Sequence, residues 1–526
     1  MTALSDFVIE LEWRLEPLEV ELNHAWWEAA TFASAGTELR RRNAELALSD
    51  ALADANAFSA AAAFRATRST TDDPLLVRRL ELLHHQLSAH QLDPNLRGEL
   101  VRCSTAIDSA FSNFRAALDG RSISDNDIAT ILRNSDDVDL RRRAWEASKQ
   151  VGTVVADDIR ALAHLRNRAA RALGHRDHFA MALATNELDE DRLLATLQEV
   201  DDVSAVPFSA WKASLDAELA ARFSCTVDAL APWHYDDPFF QDPPTRHTVD
   251  LAHVFDGIDV LDRSRFTFDS FGLDVHRVLD RSDLLSRPGK NQHAFCADLD
   301  RAGDVRVLAN IVANEQWLEI MLHELGHAVY DLGTDATLPW SLRTMHPLLT
   351  EGVAMLCGHL ARSPEWLHRV ADIADREVEA LRDELAASKR ASVLVFIRWA
   401  LVMINFERGL YADPDADHDT RWWDLVGHYQ GLRTPFKRQA PDWAAKIHIA
   451  SAPVYYQNYL FGQLFAVQLD QAIRTRFGGL IGYPEAGRFL SEELFAPGAS
   501  QRWDRLIESC TGEPLSAHHL HTVLGL

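Results

Sequence analysis

Long segments with a helical spacing of apolar residues dominate this chain of 526 residues and restrict the folds open to it. The segments FVIELEWRLEPLEVELNHAWWEAATFA and TELRRRNAELALSDALADANAF are rich in Ala, Leu, Glu and Arg, and their apolar residues recur three and four positions apart. A third segment, RRRAWEASKQVGTVVADDIRALAHLRNRAARALG, continues the pattern and ends at Gly174, which suits a helix C-terminus. The pattern predicts a mainly α fold.

Residues 291–312 depart from the helical period. The segment NQHAFCADLDRAGDVRVLANIV contains two short runs separated by Asp-Arg-Ala-Gly-Asp, a composition typical of a hairpin turn. It predicts a small antiparallel β-hairpin beside the helix that follows, with a short loop excursion as the alternative. A second irregular stretch, APWHYDDPFFQDPP at 231–244, is rich in proline and predicts an insert without regular structure.

The charge of the chain limits its partners. The formal net charge is −25 at pH 7, so the average surface is acidic. Nucleic acids and anionic membranes attract concentrated lysine and arginine, and we therefore expect neither as a partner. No stretch approaches 18 apolar residues without charges, so no membrane span is expected.

The cysteines and the N-terminal segment bear on location. The five cysteines are scattered singly and form no CxxC pair, which is typical of reduced thiols rather than of a disulfide framework. The segment MTALSDFVIELEWRLEP lacks a basic start followed by a long apolar run, so we expect no signal peptide. Both features predict a cytoplasmic protein.

One short motif indicates metal chemistry. Residues 323–327 read His-Glu-Leu-Gly-His, and histidines at i and i+4 lie on one face of a helix. Both imidazoles can therefore reach one zinc ion, and Glu324 can reach a water on that ion. The alternative is that His323 and His327 are two core histidines whose nitrogens are satisfied by the protein.

A catalytic zinc needs a third protein ligand and an open position for water. After the motif, DLGTDATLPWSLRTMHP breaks the helix, and LLTEGVAMLCGHLA begins another. We expect Glu351, which lies 24 residues after His327, in the first turn of that second helix. A connection of this length allows an antiparallel return, so that Glu351 faces both histidines. The alternative is a glutamate that stabilises a helix N-terminus.

These residues carry a family resemblance. HELGHAVY, followed by the glutamate of LLTEGVAM, resembles the angiotensin-converting-enzyme-like peptidyl-dipeptidases, zinc peptidases related in fold to the thimet oligopeptidases. QHAFCADLD, WWDLVGHYQGLRTPF and KIHIASAPVYYQNYLFGQLFAVQLDQA are also similar to family segments, as are ELNHAWWEAATFAS and WDRLIESCTGEPLS near the two ends. The resemblance implies a single zinc metallopeptidase catalytic domain over residues 1–526. It also implies two helical lobes around a deep central cleft, with the hairpin near the zinc site.

The resemblance implies catalytic roles for three residues beyond the metal ligands His323, His327 and Glu351. Glu324 would take a proton from the metal-bound water and pass it to the leaving amine. Tyr459 would donate its hydroxyl hydrogen to the oxyanion, and His448 would hydrogen-bond the substrate backbone nearby. The residues themselves also allow SAPVYYQNYLFG to be an ordinary aromatic helix of the core.

Four further residues match family positions that bind the peptide. His293 and the backbone of Ala294 would bind an extended peptide by strand addition. Lys446 and Tyr456 would hold its free C-terminal carboxylate. The alternatives are a core or exposed histidine at 293 and a solvated surface lysine at 446.

Three departures from the family pattern qualify these implications. Asn458 stands where vertebrate members carry an arginine that binds an activating chloride. Met355 stands where they carry an aspartate that supports the metal ligands. The glutamine that completes the family's carboxylate pocket has no evident counterpart in the sequence.

The sequence thus predicts a zinc-dependent peptidase that hydrolyses short peptides and releases C-terminal dipeptides. An oligopeptidase that cuts internally is the nearest alternative. A scaffold redirected to a specialised amide and a non-catalytic peptide-binding protein remain open as well. The six residues His323, Glu324, His327, Glu351, His448 and Tyr459 are all present, which argues against a degenerate site.

Overall fold

The computed structural model describes residues 3–67, 73–244, 251–291 and 293–526. The helices of the first half are α1 (Ala3–Thr31), α2 (Ala35–Leu52), α3 (Ala55–Thr67), α4 (Pro74–Ala89), α5 (Pro94–Asn113), α6 (Asp125–Asn134), α7 (Val138–Ala172), α8 (His178–Thr185), α9 (Glu190–Arg222), α10 (Ala252–Phe255) and α11 (Val260–Asp269). Those of the second half are α12 (His276–Arg281), α13 (Glu315–Gly333), α14 (Pro347–Gly358), α15 (Pro364–Arg369), α16 (Asp375–Ala412), α17 (His418–Gln430), α18 (His448–Ser451), α19 (Tyr456–Phe477), α20 (Pro484–Phe489), α21 (Trp503–Thr511) and α22 (Leu520–Leu524).

The described strands form two antiparallel pairs. The strands are β1 (Ala116–Leu118), β2 (Arg121–Ile123), β3 (Phe295–Asp298) and β4 (Val305–Leu308). In the second pair Phe295 lies opposite Leu308 and Asp298 opposite Val305. The prediction of a mainly α fold with a small hairpin inside 291–312 is therefore confirmed.

The hairpin turns follow local chain chemistry. Between β3 and β4, Arg301 and Gly303 have φ angles of 51° and 108°, and the Asp298 carboxylate accepts the Arg301 N–H at 2.8 Å. The β1–β2 hairpin was not predicted. Its sequence signal is the pair Asp119 and Gly120, both with positive φ, which is typical of a two-residue turn.

The helix segments agree with their periodic pattern apart from one break. The second predicted segment is divided at residues 53–54 into α2 and α3, where the Asp54 carboxylate accepts the Ala57 N–H at 3.2 Å. The third segment forms α7, and Gly174 beyond its end has a φ of 87°. That angle costs glycine little, so the predicted C-terminal glycine is confirmed.

The chain divides into two compact units. The first comprises Met1–Gln91, Leu251–Arg382 and Phe461–His519, and the second comprises Leu92–Asp250, Asp383–Leu460 and Leu520–Leu526. In the described ranges, no helix combines the length and the apolarity needed to cross a membrane. The single catalytic domain and the deep cleft stay predictions.

Candidate metal centre and substrate-binding residues

Helix α13 presents the two histidines of the motif in the first unit. It begins after Asn314, whose side chain accepts the Trp317 N–H at 2.9 Å and so satisfies one of the free donors of the first turn. Four residues make slightly more than one helical turn, so His323 and His327 lie one above the other. Their ring centroids are 4.9 Å apart.

Helix α14 brings the third donor. It begins at Pro347, and the His346 side chain accepts the Leu348 N–H at 3.2 Å. Glu351 therefore lies in the second turn, so its predicted place in the first turn is wrong. The reason is that α14 begins directly after the capping side chain of His346. Proline is favoured at the first position of a helix, where its missing N–H would have no partner within the helix.

The two helices are antiparallel, as the length of their connection predicted. A Cβ atom on Gly326 would lie 2.8 Å from the Ala354 Cα, and a Cβ on Gly358 would lie 3.5 Å from that of His323. Residues later in α13 thus contact residues earlier in α14, which is the arrangement of two antiparallel helices. Gly326 is the residue that allows this close approach, because any larger side chain would collide with the backbone of α14.

A second glycine contact supports Glu351 from α19. A Cβ atom on Gly462 would lie 3.0 Å from the Glu351 Cβ and 3.2 Å from the Gly352 nitrogen. Both distances are too short for an alanine without displacement of α14. The Glu351 backbone is therefore held between α13 and α19 by packing.

Three donor atoms converge between α13 and α14. The Glu351 Oε2 atom lies 3.7 Å from His323 Nε2 and 3.9 Å from His327 Nε2. Within the described residues, this is the only group of three His, Cys, Asp or Glu side chains whose donor atoms all lie within 4.8 Å of one another. His323 keeps 29% of its side-chain surface exposed, so the group stays open on one side.

The protonation of the histidines suits a metal ligand. Burial lowers the pKa of His323 to about 4, and burial followed by the charge of His323 lowers the pKa of His327 well below its ordinary value. Both imidazoles are therefore neutral at pH 7, with a lone pair for a cation. Two neutral imidazoles and a carboxylate are a donor set that fits a zinc ion.

Thr350 orients one of these rings. Its Oγ1 atom lies 2.6 Å from His327 Nδ1, so this contact leaves Nε2 to face Glu351. A hydrogen bond on the second ring nitrogen is the usual support of a metal-binding histidine. A role for Thr350 was not predicted from the sequence, although it directly precedes Glu351. Its hydroxyl supports His327 in a chain that has Met355 in place of the family's aspartate.

Glu324 lies beside the three donors and contacts the hairpin. Its carboxylate accepts the backbone N–H of Cys296 in β3, and this hydrogen bond acts to lower the pKa. Burial, and then the charge of Glu351, outweigh it and raise the pKa of Glu324 to about 8. Glu324 is therefore a buried carboxyl group held in place by the hairpin rather than a surface residue of α13.

The hairpin also places His293 and Ala294. His293 is exposed, and its N–H donates to the Asn291 side chain at 2.9 Å. Ala294 directly precedes β3 and is half-buried. Alternate residues of a paired strand direct their N–H and C=O groups to the same edge. Because the Cys296 N–H reaches Glu324, the backbone groups of Ala294 face that edge as well.

The second unit brings together the other four predicted residues. The Tyr456 ring lies 5.5 Å from the rings of both His448 and Tyr459. The Trp399 Nε1–H donates to the Tyr456 hydroxyl at 3.1 Å, and the Lys446 ammonium lies 5.3 Å from the Trp399 ring. Lys446 is thus half-buried among aromatic rings, not a solvated surface lysine.

A glutamine missed in the sequence completes this group. The Lys446 ammonium donates to Gln241 Oε1 at 2.7 Å, although 205 residues separate them in the chain. Gln241 belongs to the proline-rich segment 231–244, which contains one short 3₁₀ turn (Pro232–His234) and no α-helix or strand. The segment's irregular composition was the only available signal.

Comparison with known proteins finds relatives of one family. The chain is 23% identical to an angiotensin-converting enzyme of Theromyzon tessulatum over 243 residues, which is 43% of this chain and 39% of that protein. It is 24% identical to an angiotensin-converting enzyme of Oryctolagus cuniculus over 236 residues, which is 42% of this chain and 18% of that protein.

A third relative, an angiotensin-converting enzyme of Mesocricetus auratus, is 24% identical over 267 residues, 47% of this chain and 20% of that protein. The matched regions thus span well under half the length of these relatives. The sequence model of the peptidase M2 family, described as angiotensin-converting enzyme, matches residues 1–203 and 267–522. That range covers most of the chain and both groups of residues described above, apart from Gln241. The chain belongs to the angiotensin-converting enzyme family of peptidases.

Proposed function

We propose that the chain is a zinc-dependent peptidase that hydrolyses short peptides and releases their C-terminal dipeptides. The observation that carries this proposal is the convergence of His323, His327 and Glu351 around one point, with the Glu324 carboxylate beside it. Family membership supports a metallopeptidase. That the metal is zinc, and that the bond cleaved lies two residues from the C-terminus of the peptide, are both part of what we propose.

His323, His327 and Glu351 would hold the zinc ion. A zinc ion in such a site lowers the pKa of its water and polarises the scissile carbonyl. Three protein ligands leave a position open, and the partial exposure of His323 is consistent with one.

Glu324 is the proton carrier of the proposed mechanism. A cation bound by the three neighbouring donors would favour the ionised form of Glu324, and its carboxylate would then accept a proton from the attacking water and deliver it to the nitrogen of the leaving amine. The Cys296 N–H fixes one side of the carboxylate, so that the other side can face the substrate. Cys296 is in this sense a positioning residue that acts through its backbone.

The edge of β3 that does not face β4 would bind the peptide backbone at Ala294. In the described part of the chain β3 pairs only with β4, so its other edge has no strand partner. An extended peptide that adds to this edge would be hydrogen-bonded by Ala294, and His293 lies two residues before β3. Strand addition recognises the backbone and tolerates varied side chains.

Tyr459 and His448 would act on the reacting carbonyl, as the family resemblance implies. The Tyr459 hydroxyl donates a hydrogen bond that strengthens as negative charge develops on the carbonyl oxygen. The His448 ring donates to the neighbouring peptide backbone.

Tyr459→Phe is expected to lower kcat by about a hundredfold or more with a smaller change in KM, because the lost hydrogen bond matters most in the transition state. Steady-state kinetics on one peptide would measure both constants. Tyr455→Phe is the matched control, since its ring lies 4.9 Å from that of Tyr459 and we assign it no role. A wild-type kcat for Tyr459→Phe would return this tyrosine to an ordinary packing role.

Lys446, Gln241 and Tyr456 would hold the C-terminal carboxylate. An ammonium and two neutral polar groups can hold a carboxylate by charge-assisted hydrogen bonds. Burial lowers the pKa of Lys446, and the charges of Asp237 and Asp242 act to raise it. A bound carboxylate would favour the charged form further. Binding the terminus at a fixed point would set the cleaved bond two residues from the end.

Amidation of the peptide C-terminus is expected to lower kcat/KM by a factor that corresponds to about 2–4 kcal/mol of lost transition-state stabilisation, since it removes the charge that pairs with Lys446. Lys446→Ala should lower kcat/KM for the free-acid peptide far more than for the amidated peptide. The two enzymes and the two peptides thus form a double-mutant cycle that isolates the contact between Lys446 and the carboxylate. Equal cleavage of both peptides, or cleavage at internal bonds regardless of distance from the end, would favour the internal oligopeptidase instead.

The function as a whole is tested by a product survey. Purified protein is incubated with a defined peptide library, with and without a metal chelator, and the products are identified by mass spectrometry. We expect C-terminal dipeptides that disappear with the chelator.

We also propose a cytoplasmic location with no nucleic acid or membrane partner. All five cysteines are free thiols, as this location favours.

A further inference from the structure

The chain makes a tight turn at Val454, directly before the helix that carries Tyr456 and Tyr459. Val454 is buried and has a φ angle of 52°. A β-branched residue rarely adopts a positive φ angle, because its Cβ atom then comes too close to a neighbouring carbonyl oxygen. Helix α19 begins two residues later at Tyr456, and Tyr459 lies in its first turn. The conformation at Val454 therefore sets where the Tyr459 side chain lies.

A buried carboxyl group holds this turn in the second unit. Glu407 of α16 is 1% exposed, and its Oε1 atom accepts the Val454 N–H at 2.8 Å. The carbonyl oxygen of Val454 accepts a hydrogen bond from the Gln457 side chain, which is buried as well. Both backbone polar groups of Val454 are thus fixed by buried side chains. Backbone strain of this kind persists only where the surrounding structure imposes it.

The protonation of Glu407 suits a neutral hydrogen-bond acceptor. Burial raises the pKa of Glu407 to about 8, whereas the Val454 hydrogen bond and then the charge of Arg166 act to lower it. At pH 7 the group is therefore mainly a neutral carboxyl, which accepts the Val454 N–H without an ionic charge. A glutamine at this position would offer a similar carbonyl acceptor.

A second anchor fastens the other end of the same segment. Arg166 of α7 donates to the Tyr411 hydroxyl of α16 at 3.0 Å and to the carbonyl oxygen of Ala450 at 2.6 Å. Ala450 lies in α18, which begins at His448. The segment from His448 to Val454 is therefore attached to the long helices α7 and α16 near both of its ends.

We propose that Glu407 is a positioning residue of the active site, which acts through the Val454 turn to place the Tyr459 hydroxyl for the oxyanion. The proposal rests on the proposed function, because it takes the role of Tyr459 from there. Glu407 supports kcat more than KM, since the hydrogen bond that it aligns matters most in the transition state. A displacement of about 1 Å is sufficient to cost about 10²-fold in rate.

A competing role for Glu407 is general stabilisation of the second unit. A variant would then contain less folded protein, but each folded molecule would react at the wild-type rate. The two roles differ in their dependence on Tyr459, because a positioning residue has nothing left to place once that hydroxyl is absent.

Glu407→Met removes the acceptor, and it is expected to lower kcat by about tenfold to a hundredfold with a smaller change in KM. In a Tyr459→Phe background the same substitution should lower kcat little further, so that the double-mutant cycle shows coupling between the two positions. Glu407→Gln should keep a kcat near that of the wild type. Adding Val454→Gly to Glu407→Met should restore much of the lost kcat, because glycine adopts a positive φ angle at little cost.

Asp177→Leu is the matched control. Asp177 is also buried in the second unit, and its carboxylate accepts the Ala180 N–H at 2.8 Å. Its loss should lower the midpoint of thermal unfolding and leave kcat per folded molecule unchanged. Circular dichroism gives the folded fraction of each variant and elemental analysis its zinc content, so that kcat refers to folded, zinc-bearing protein.

Additive effects of Glu407→Met and Tyr459→Phe on kcat would overturn the proposal, as would a wild-type kcat per folded molecule in Glu407→Met. If Glu407→Met does not fold, Gln457→Leu frees the other polar group of the Val454 turn, and additivity with Tyr459→Phe there overturns the proposal equally. A wild-type kcat in Tyr459→Phe would remove the proposed role of Tyr459 and this inference with it. An impaired Tyr459→Phe with an additive cycle would leave that role standing and remove this inference alone.

Discussion

Glu324→Gln is expected to bind its metal normally and to lose about 10³-fold or more in kcat. Glutamine has nearly the same shape as glutamate and can still meet the Cys296 N–H through its carbonyl oxygen. It cannot accept the proton of the attacking water, and general base catalysis of this kind contributes about 10²–10⁴-fold. Single-turnover kinetics and elemental analysis of the same preparation would measure both properties.

Two comparisons complete this test. Glu485→Gln makes the same substitution at an exposed position of α20 in the same unit and should behave as the wild type. A Glu324→Gln protein with its zinc and most of its activity would require another base and contradict the proposal. Loss of zinc in this variant would instead assign Glu324 to the metal ligands.

His323→Ala is expected to remove nearly all bound zinc and all measurable peptidase activity. The ring is one of only three donors, and two donors hold zinc far more weakly than three. We expect about one zinc per chain in the wild type and a small fraction of that in the variant. His276→Ala, which removes an exposed histidine of the same unit, should retain the full metal content.

A graded variant makes this prediction sharper. Thr350→Val keeps the shape of the side chain and removes the hydroxyl that lies 2.6 Å from His327 Nδ1. The loss of such a supporting hydrogen bond typically weakens metal affinity by about 10–100-fold. Competition with a chelator should therefore rank the wild type above Thr350→Val and Thr350→Val above His323→Ala. Full zinc occupancy in His323→Ala would refute the proposed ligand set.

Local patterns in the chain were sufficient for the helices, the hairpin and the spacing of the motif. A period of three and four residues determines which face of α1 or α7 is apolar, whatever the rest of the fold. The same reasoning applies to His323 and His327, because positions four apart on any helix share a face. The turn between β3 and β4 depends on residues that are adjacent in sequence.

The partners of these local features were decided by tertiary packing. The second-turn position of Glu351 depends on where α14 begins, and the contact of Thr350 with His327 depends on how closely Gly326 lets the two helices approach. No sequence period links residues so far apart.

Gln241 is the clearest case of this limit. Its contact with Lys446 joins an irregular turn to a position 205 residues later. An irregular segment has no hydrophobic period, so the direction of its side chains cannot be predicted from the sequence. The amino-acid sequence by itself thus determined the long helical segments, the β3–β4 hairpin and the shared helix face of His323 and His327, because these depend on neighbours in the chain. The supporting contacts of Thr350, Cys296 and Gln241 were decided only in the folded protein, where distant segments pack against one another.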